Sequence, residues 1–363
     1  MPLPAPASPS DRPTRAAWRR AVAAVAVLGV LLVGVVLLGR PAAEAATRDA
    51  GVRLAATSAM TNPPRAGSPV IQAKTVDPTA AAEARSELNP LKAVVLGVIE
   101  GFTEFLPISS TGHLLIAQDL LGVGATDATK SAADTYAIVI QGGAILAVLV
   151  LYWRRVLEVL QGLIGRSEEG RRLLIALVVG FLPAAVVGLI FEKKIKEALF
   201  GPWPVVAAWI VGGLALLWIS SKAWMRKERV APGIEAITWQ QALVIGAAQV
   251  LALWPGTSRS LVTIVAAVLV GLSLAAAVEF SFLLGLVTLG AATALDLVKS
   301  GPELFDTYGF ANPFLGFLAA FVAAVVAVKF LVAYLQRHSL AIFGWYRLAV
   351  AGVAIALIFA GKL

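Results

Sequence analysis

Two apolar segments, residues 91–122 and 238–271, are each broken at the centre by polar and turn-forming residues. The first carries Leu106-Pro-Ile-Ser-Ser-Thr-Gly-His113. The second carries Leu253-Trp-Pro-Gly-Thr-Ser-Arg-Ser260. Between and after them lie six unbroken apolar stretches, at 133–153, 173–191, 203–221, 275–297, 314–335 and 341–361. Each is long enough to span a bilayer as a helix. Irregular backbone is not tolerated against lipid, so the two broken segments must face protein or a water-filled cavity. They are expected to be re-entrant helical hairpins. The expected fold is therefore an all-α polytopic membrane protein with about six transmembrane helices, two re-entrant hairpins and an extra N-terminal hydrophobic segment.

Composition agrees. Of 363 residues, 59% are hydrophobic and 14% charged, against about 25% charged in soluble domains. The absence of cysteine removes disulfides, thiol nucleophiles and thiolate metal sites. With only His113 and His338, one chain cannot build a multi-histidine metal site. The formal net charge of +8 is spread over loops, with no concentrated basic patch for nucleic acid.

Three regions follow. Residues 1–40 hold a basic N-terminus (Arg12, Arg15, Arg19, Arg20) and the apolar run Ala21–Leu38. This is either a signal segment, with small residues near Ala43–Ala46 for cleavage, or an anchor. Its 18 residues favour the anchor. Residues 41–90, rich in Ala, Pro, Ser and Thr, are expected to be a disordered linker. Residues 91–363 form the membrane-embedded domain. Arg154, Arg155, Arg166, Arg171 and Arg172 follow the first core span, and Lys222, Arg226, Lys227 and Arg229 follow the third. Both loops then lie on the cytoplasmic side. The N-terminal arginines share that side only if 91–122 enters and leaves on the outer face. Lys193, Lys194 and Lys196 dissent, falling outside.

The broken segments are also related to each other. Gly97-Val-Ile-Glu100 aligns with Gly246-Ala-Ala-Gln249, and Gly122 aligns with Gly271 at the same offset. With the topology above this is an inverted repeat, an arrangement that places sites near the midplane.

The chemistry concentrates in the two breaks. Glu100 and Glu104 share one helix face; at membrane depth a carboxylate pair can hold a divalent cation or supply a general base. Ser109, Ser110, Thr111, Gly112 and His113 follow at a loop-to-helix start, which offers free N–H groups to an anion. Pro255-Gly256-Thr257-Ser258-Arg259-Ser260 is the mirror element, with Thr263 nearby. Arg259 suits a phosphate or a pair with Glu100 or Glu104, and Gly256 permits close backbone approach. Gln141 and Glu279 are placed as supporting residues, and Lys329 and Arg347 as snorkelling or paired cations. Trp153, Trp203 and Trp345 read as interface anchors. The combination suits a phosphorylated lipid with a metal. It does not separate hydrolysis from transport.

The stretch Glu100-Gly-Phe-Thr-Glu-Phe-Leu-Pro-Ile-Ser-Ser-Thr-Gly-His113 resembles the first signature of the undecaprenyl-diphosphatase (bacitracin-resistance protein) family, and Leu253-Trp-Pro-Gly-Thr-Ser-Arg-Ser260 with Thr263 resembles the second. Glu279-Phe-Ser-Phe-Leu-Leu and Gly290-Ala-Ala-Thr-Ala-Leu-Asp296 are also similar. The resemblance runs from residue 91 to the end. It implies a bacterial plasma-membrane enzyme, multi-pass and open to the extracytoplasmic side. The reaction implied converts undecaprenyl diphosphate to undecaprenyl phosphate and inorganic phosphate, so recycling the lipid carrier for cell-wall synthesis. Bacitracin resistance follows because that drug sequesters the substrate. The resemblance implies a divalent cation (Mg2+ or Ca2+) on Glu100 and Glu104, catalysis by Glu100, Glu104, Ser110, His113 and Arg259, and substrate binding by Ser109, Thr111, Gly112, Gly256, Thr257, Ser258, Ser260 and Thr263. The attacking group is left open between Ser110, His113 and a water activated by the cation. The expected partners are the lipid substrate, the bilayer and a second copy of the chain in a homodimer, with no nucleic acid. The alternative is a transporter that flips undecaprenyl phosphate. One departure is Leu261 where the family has Gly; another is the segment 1–90, which has no counterpart in a short family member.

Overall fold

In a computed structural model of the chain, described over residues 85–221 and 233–363, each broken segment folds as two short helices joined by a turn. The first comprises α1 (Pro90–Thr103) and α2 (Ser110–Leu121). Asn89 caps α1 by accepting the Lys92 N–H, with Pro90 in the first turn. Pro107 disfavours helix for the residue before it, so the break falls between the Glu pair and the serines. Gly122, at φ 61°, ends α2 in the left-handed conformation.

The chain continues through α3 (Asp127–Leu151), α4 (Trp153–Leu163), α5 (Glu168–Leu199) and α6 (Pro202–Ser220). The second broken segment follows as α7 (Trp239–Gln249), a 3-10 turn (Val250–Leu253) and α8 (Arg259–Leu269). Thr238 and Gln241 form a capping box at the start of α7. The last three helices are α9 (Leu274–Tyr308), α10 (Ala311–Leu335) and α11 (Ala341–Phe359). Among the described residues six helices are long and apolar enough to cross a membrane: α3, α5, α6, α9, α10 and α11. The described residues contain no strand.

Several boundaries differ from the apolar runs. Helix α5 continues to Leu199 and α9 to Tyr308, because Lys and Glu at a membrane edge prolong a helix as readily as Leu does. Lys193 and Lys194 are thus helical rather than in a loop. Arg154 and Arg155 lie on α4, a short helix whose Val156 and Val159 pack on the main core. Within the segment read as linker, Leu88 is packed into the fold: it is fully buried, and its carbonyl accepts from Asn312. The N-terminal apolar run, the rest of the linker and the basic residues at 222–229 lie outside the described residues.

The repeat is visible in the packing. Membrane helices gain little from apolar burial against one another and rely on close approach of small residues. A Cβ on Gly97 would sit 2.2 Å from the Gly316 carbonyl oxygen of α10, and one on Gly246 would sit 2.3 Å from the Gly180 oxygen of α5. Each hairpin therefore docks on the middle span of the opposite repeat. Helices α6 and α11 pack through Gly213 and Gly344, each of which would bring a Cβ to about 3 Å from the other's carbonyl. These contacts place both breaks inside the protein, where Phe105, Leu106 and Ile108 join the main core with Leu261 and Val262.

Candidate active site

Helix α1 ends at Thr103 and α8 begins at Arg259, and this brings the two breaks side by side. Glu104 is the meeting point. Its Oε1 accepts from Arg259 Nη2 at 3.1 Å, and its Oε2 accepts from the Ser110 hydroxyl. Glu104 is 7% exposed and Arg259 9%. An ion pair so buried keeps its worth only while both partners are present, since removing one leaves a bare charge at about 3–5 kcal/mol.

Arg259 is fixed on three further sides. Its Nη1 donates to the Ser281 carbonyl at 2.8 Å, and its guanidinium lies 5.5 Å from the Phe105 ring centre. Gly285 leaves the space it fills, since a Cβ there would come 2.3 Å from Nη1. Thr263 donates to the Arg259 carbonyl at 2.8 Å and bonds the Ser281 hydroxyl at 2.6 Å. It stands behind the arginine rather than facing the site. Ser260, fully buried, donates to the Leu106 carbonyl at 2.9 Å and so ties the two breaks together. Ser258 caps α8 through the Leu261 N–H. Leu261 packs into the core, so the departure from glycine is absorbed by burial.

Beside this arrangement lies a cavity of about 100 Å³. Glu104, Ser109, Ser110, Thr111, Ser258 and Arg259 line it on the polar side. Gly256 and Gln141 also reach it, and Ala252, Trp254 and Leu289 give it an apolar edge. The volume suits a phosphoryl group and a few waters, while a long hydrocarbon chain must leave over the apolar edge. Ser109 makes no side-chain cap to α2, so the first N–H groups of that helix stay open to an anion.

Glu100 is deeper, 1% exposed, and among the described residues neither of its carboxylate oxygens meets a well-formed hydrogen-bond partner. Its charged and polar neighbours are Glu104 and Gln141. Among the described residues no group of three or more Asp, Glu, His or Cys side chains is arranged to hold a metal ion by itself. Two carboxylates and an amide, with substrate phosphate, are nonetheless the donor set that a hard divalent cation uses. The unpartnered Glu100 oxygens are the observation that fits it.

The remaining predicted residues sit elsewhere. Both ring nitrogens of His113 are engaged: Nδ1 donates to the Ser109 carbonyl at 2.6 Å, and Nε2 accepts from the Tyr346 hydroxyl at 2.9 Å. Its ring packs on Trp209 and Tyr346 rather than lining the cavity. Gly112 packs against Trp209, whose indole would lie 2.7 Å from an added Cβ. Thr257 offers its carbonyl to Arg347. Glu279, read as supporting the site, instead pairs with Arg155 at 2.7 Å, together with Glu158 and Glu235. Arg347 is corrected too: it does not snorkel, pairs with no carboxylate among the described residues, and is fully buried among backbone carbonyls. Its only sequence signal was an arginine inside an apolar span.

The chain is similar to known proteins over the region that carries this site. A family model described as "Bacitracin resistance protein BacA" matches residues 93–353. A protein of Sorangium cellulosum named undecaprenyl-diphosphatase is 49% identical over 266 residues, covering 73% of this chain and 85% of its own length. Undecaprenyl-diphosphatase 2 of Rhodospirillum rubrum is 46% identical (75% of this chain, 96% of the relative). Undecaprenyl-diphosphatase 1 of Chromobacterium violaceum is 44% identical (74% and 96%).

Proposed function

The chain belongs to the bacitracin resistance protein BacA family, and from that premise we propose that it hydrolyses undecaprenyl diphosphate to undecaprenyl phosphate and inorganic phosphate at the cavity between its two hairpins. The observation that carries this reading is the convergence of Ser110 and Arg259 on one carboxylate, Glu104. A nucleophile, a base and a group that orients the base are thereby in contact. Transport of a lipid phosphate requires no such chain.

In the mechanism we favour, Ser110 Oγ attacks the terminal phosphorus as its proton passes to Glu104 Oε2. The bond from that phosphorus to the bridging oxygen breaks, and undecaprenyl phosphate leaves. Glu104 gives that proton to the departing undecaprenyl phosphate and is a carboxylate again. Water then attacks the phosphoserine and loses a proton to Glu104, which passes it to the departing Ser110 oxygen, so inorganic phosphate leaves and the starting state returns. Arg259 and the open N–H groups of α2 hold the equatorial oxygens, where charge is greatest in the transition state. His113 acts by holding the Ser109 carbonyl, and so the turn that presents Ser110. A divalent cation on Glu100 and Glu104, when bound, supplies charge neutralisation for the diphosphate.

We place the cavity on the extracytoplasmic side of a bacterial plasma membrane. The support is parity: one span, α3, separates the first hairpin from the arginine-rich stretch around Arg154–Arg172, which the positive-inside rule assigns to the cytoplasm.

The test is phosphate release from undecaprenyl diphosphate by the purified chain in detergent, with and without a divalent cation. Cation-dependent release, lost in Glu104→Gln and Arg259→Ala, is expected. A folded wild-type chain that releases none, yet moves undecaprenyl phosphate across vesicles, overturns the reading in favour of transport.

A further inference from the structure

Arg347 lies on α11, far in sequence from both signatures, and is fully buried. A guanidinium has five N–H donors and no acceptor. Here each finds one carbonyl. Nε donates to Trp209 O at 3.4 Å; Nη1 to Pro107 O at 3.4 Å and Thr257 O at 3.2 Å; Nη2 to Ala208 O and Gly256 O, both at 2.8 Å. Among the described residues no carboxylate pairs with it. A cation in this position is costly unless fully hydrogen-bonded, so the surrounding fold must be built to receive it. Gly212 of α6 is part of that fit, because a Cβ there would lie 2.4 Å from Nη2.

The carbonyls come from three elements: the middle of α6, the break of the first hairpin and the break of the second. Pro107 and Gly256 are equivalent positions of the inverted repeat, at the same offset as Gly97 and Gly246. Arg347 therefore bridges corresponding points of the two turns on the side away from the cavity, which it does not line. All described peptide bonds are trans, and a trans peptide sets its N–H antiparallel to its C=O. Drawing the Thr257 carbonyl to Arg347 thus turns the Ser258 N–H the other way. The Trp209 indole does the same by holding the Ile108 carbonyl at 3.0 Å, and His113 by holding that of Ser109.

We propose that Arg347 is a positioning residue for the phosphatase reaction. By holding carbonyls of both hairpin turns, it fixes the spacing of Ser110 from Arg259 and aims the turn N–H groups at the phosphoryl site. This rests on the reading given under Proposed function. It makes α11 part of the catalytic framework although α11 supplies no group to the cavity.

The test compares wild type, Arg347→Lys and Gly212→Ala, purified as the full chain in detergent, by phosphate-release kinetics and thermal midpoint. Lysine keeps the charge but has three donors and cannot span five carbonyls. Gly212→Ala leaves Arg347 in place but pushes its tip. A misplacement of the order of 1 Å lowers turnover by about 10²-fold. The expected result is a loss of that order in kcat for Arg347→Lys and a smaller loss for Gly212→Ala. KM should stay within about threefold at temperatures where both are folded, because the lipid tail binds elsewhere. A kcat within twofold of wild type in either folded variant overturns the proposal. So does a loss explained by the unfolded fraction, or failure of both variants to fold, which assigns Arg347 a purely structural role. A wild type that releases no phosphate sinks the phosphatase reading itself, and the positioning role with it.

Discussion

Ser109 and Ser258 adopt almost the same backbone conformation, φ 72°, ψ 105° and φ 74°, ψ 112°, and they are the only non-glycine residues with positive φ among those described. Each immediately precedes the second helix of its hairpin, and each is followed by a residue that bonds Glu104: Ser110 in one repeat, Arg259 in the other. One turn geometry, used twice, therefore delivers a hydroxyl and a guanidinium to one carboxylate. Positive φ in a non-glycine residue stores of order 1–3 kcal/mol and persists only where the surroundings impose it.

The two serines should respond differently to glycine. Ser109 makes no side-chain cap, whereas Ser258 accepts from the Leu261 N–H and bonds Ser260. Ser109→Gly is expected to raise stability by roughly 1 kcal/mol through relief of the backbone. Ser258→Gly loses its cap bonds in exchange and should gain nothing. Thermal unfolding in detergent separates them.

Removing the buried ion pair one side at a time should be worse than removing both charges. Glu104→Gln leaves Arg259 without its counter-charge, at about 3–5 kcal/mol, and turnover should fall by 10²–10⁴-fold with loss of the base. A double variant, Glu104→Gln with Arg259→Met, should recover part of the stability and none of the activity. Equal midpoints for the single and double variants would show that the pair carries no such penalty.

Glu100→Gln should weaken the cation rather than the lipid. Among the described residues its two carboxylate oxygens are left without a well-formed hydrogen bond, with Gln141 and Glu104 as neighbours, so the amide keeps the shape and removes chiefly the charge. The concentration of Mg2+ giving half-maximal phosphate release is expected to rise at least tenfold, with KM for lipid little changed. A chelator should silence wild type, and excess cation should restore it.

Close approach of the hairpins should be intolerant of a single methyl. Gly97→Ala and Gly246→Ala would drive a Cβ against backbone at 2.2 and 2.3 Å, where no side chain can yield. Each is expected to destabilise by about 1–3 kcal/mol. Gly290→Ala, with nothing within 4 Å, is the control, and its midpoint should not fall.

Arg155 outside the spans gives a pH-dependent contribution. A hydrogen bond from its own backbone, and then the bond from Arg155, hold the Glu235 carboxyl below the usual carboxylate range. A depressed folded value means stability that is present above the unfolded value of about 4.3 and lost as pH falls through the folded one. Glu235→Gln should therefore lower the midpoint slightly at pH 7, because the pair is half-exposed. The difference from wild type should shrink in acid. A gap that widens on acidification contradicts this.

The chain itself determined the membrane class, the six spans and the two interrupted hairpins, because lipid forbids irregular backbone and the apolar runs leave only those breaks. It also marked Glu100, Glu104, Ser110 and Arg259, since polar groups at that depth are rare enough to stand out against their neighbours. Equal spacing of Gly97 with Gly246 and of Gly122 with Gly271 made the repeat legible. The pairing between repeats was legible only in part. A pair of Arg259 with Glu100 or Glu104 was one of two readings, but which glutamate, that Ser110 shares it, that His113 turns to Tyr346 and that Glu279 goes to Arg155 all depend on which helices touch. Small residues such as Gly180, Gly285 and Gly316 decide that by letting backbones and guanidinium groups approach, and a glycine in an apolar run does not announce its partner. Arg347 is the clearest case: one arginine in a span reads as a stray charge, and only the tertiary structure supplies the five carbonyls that give it a place.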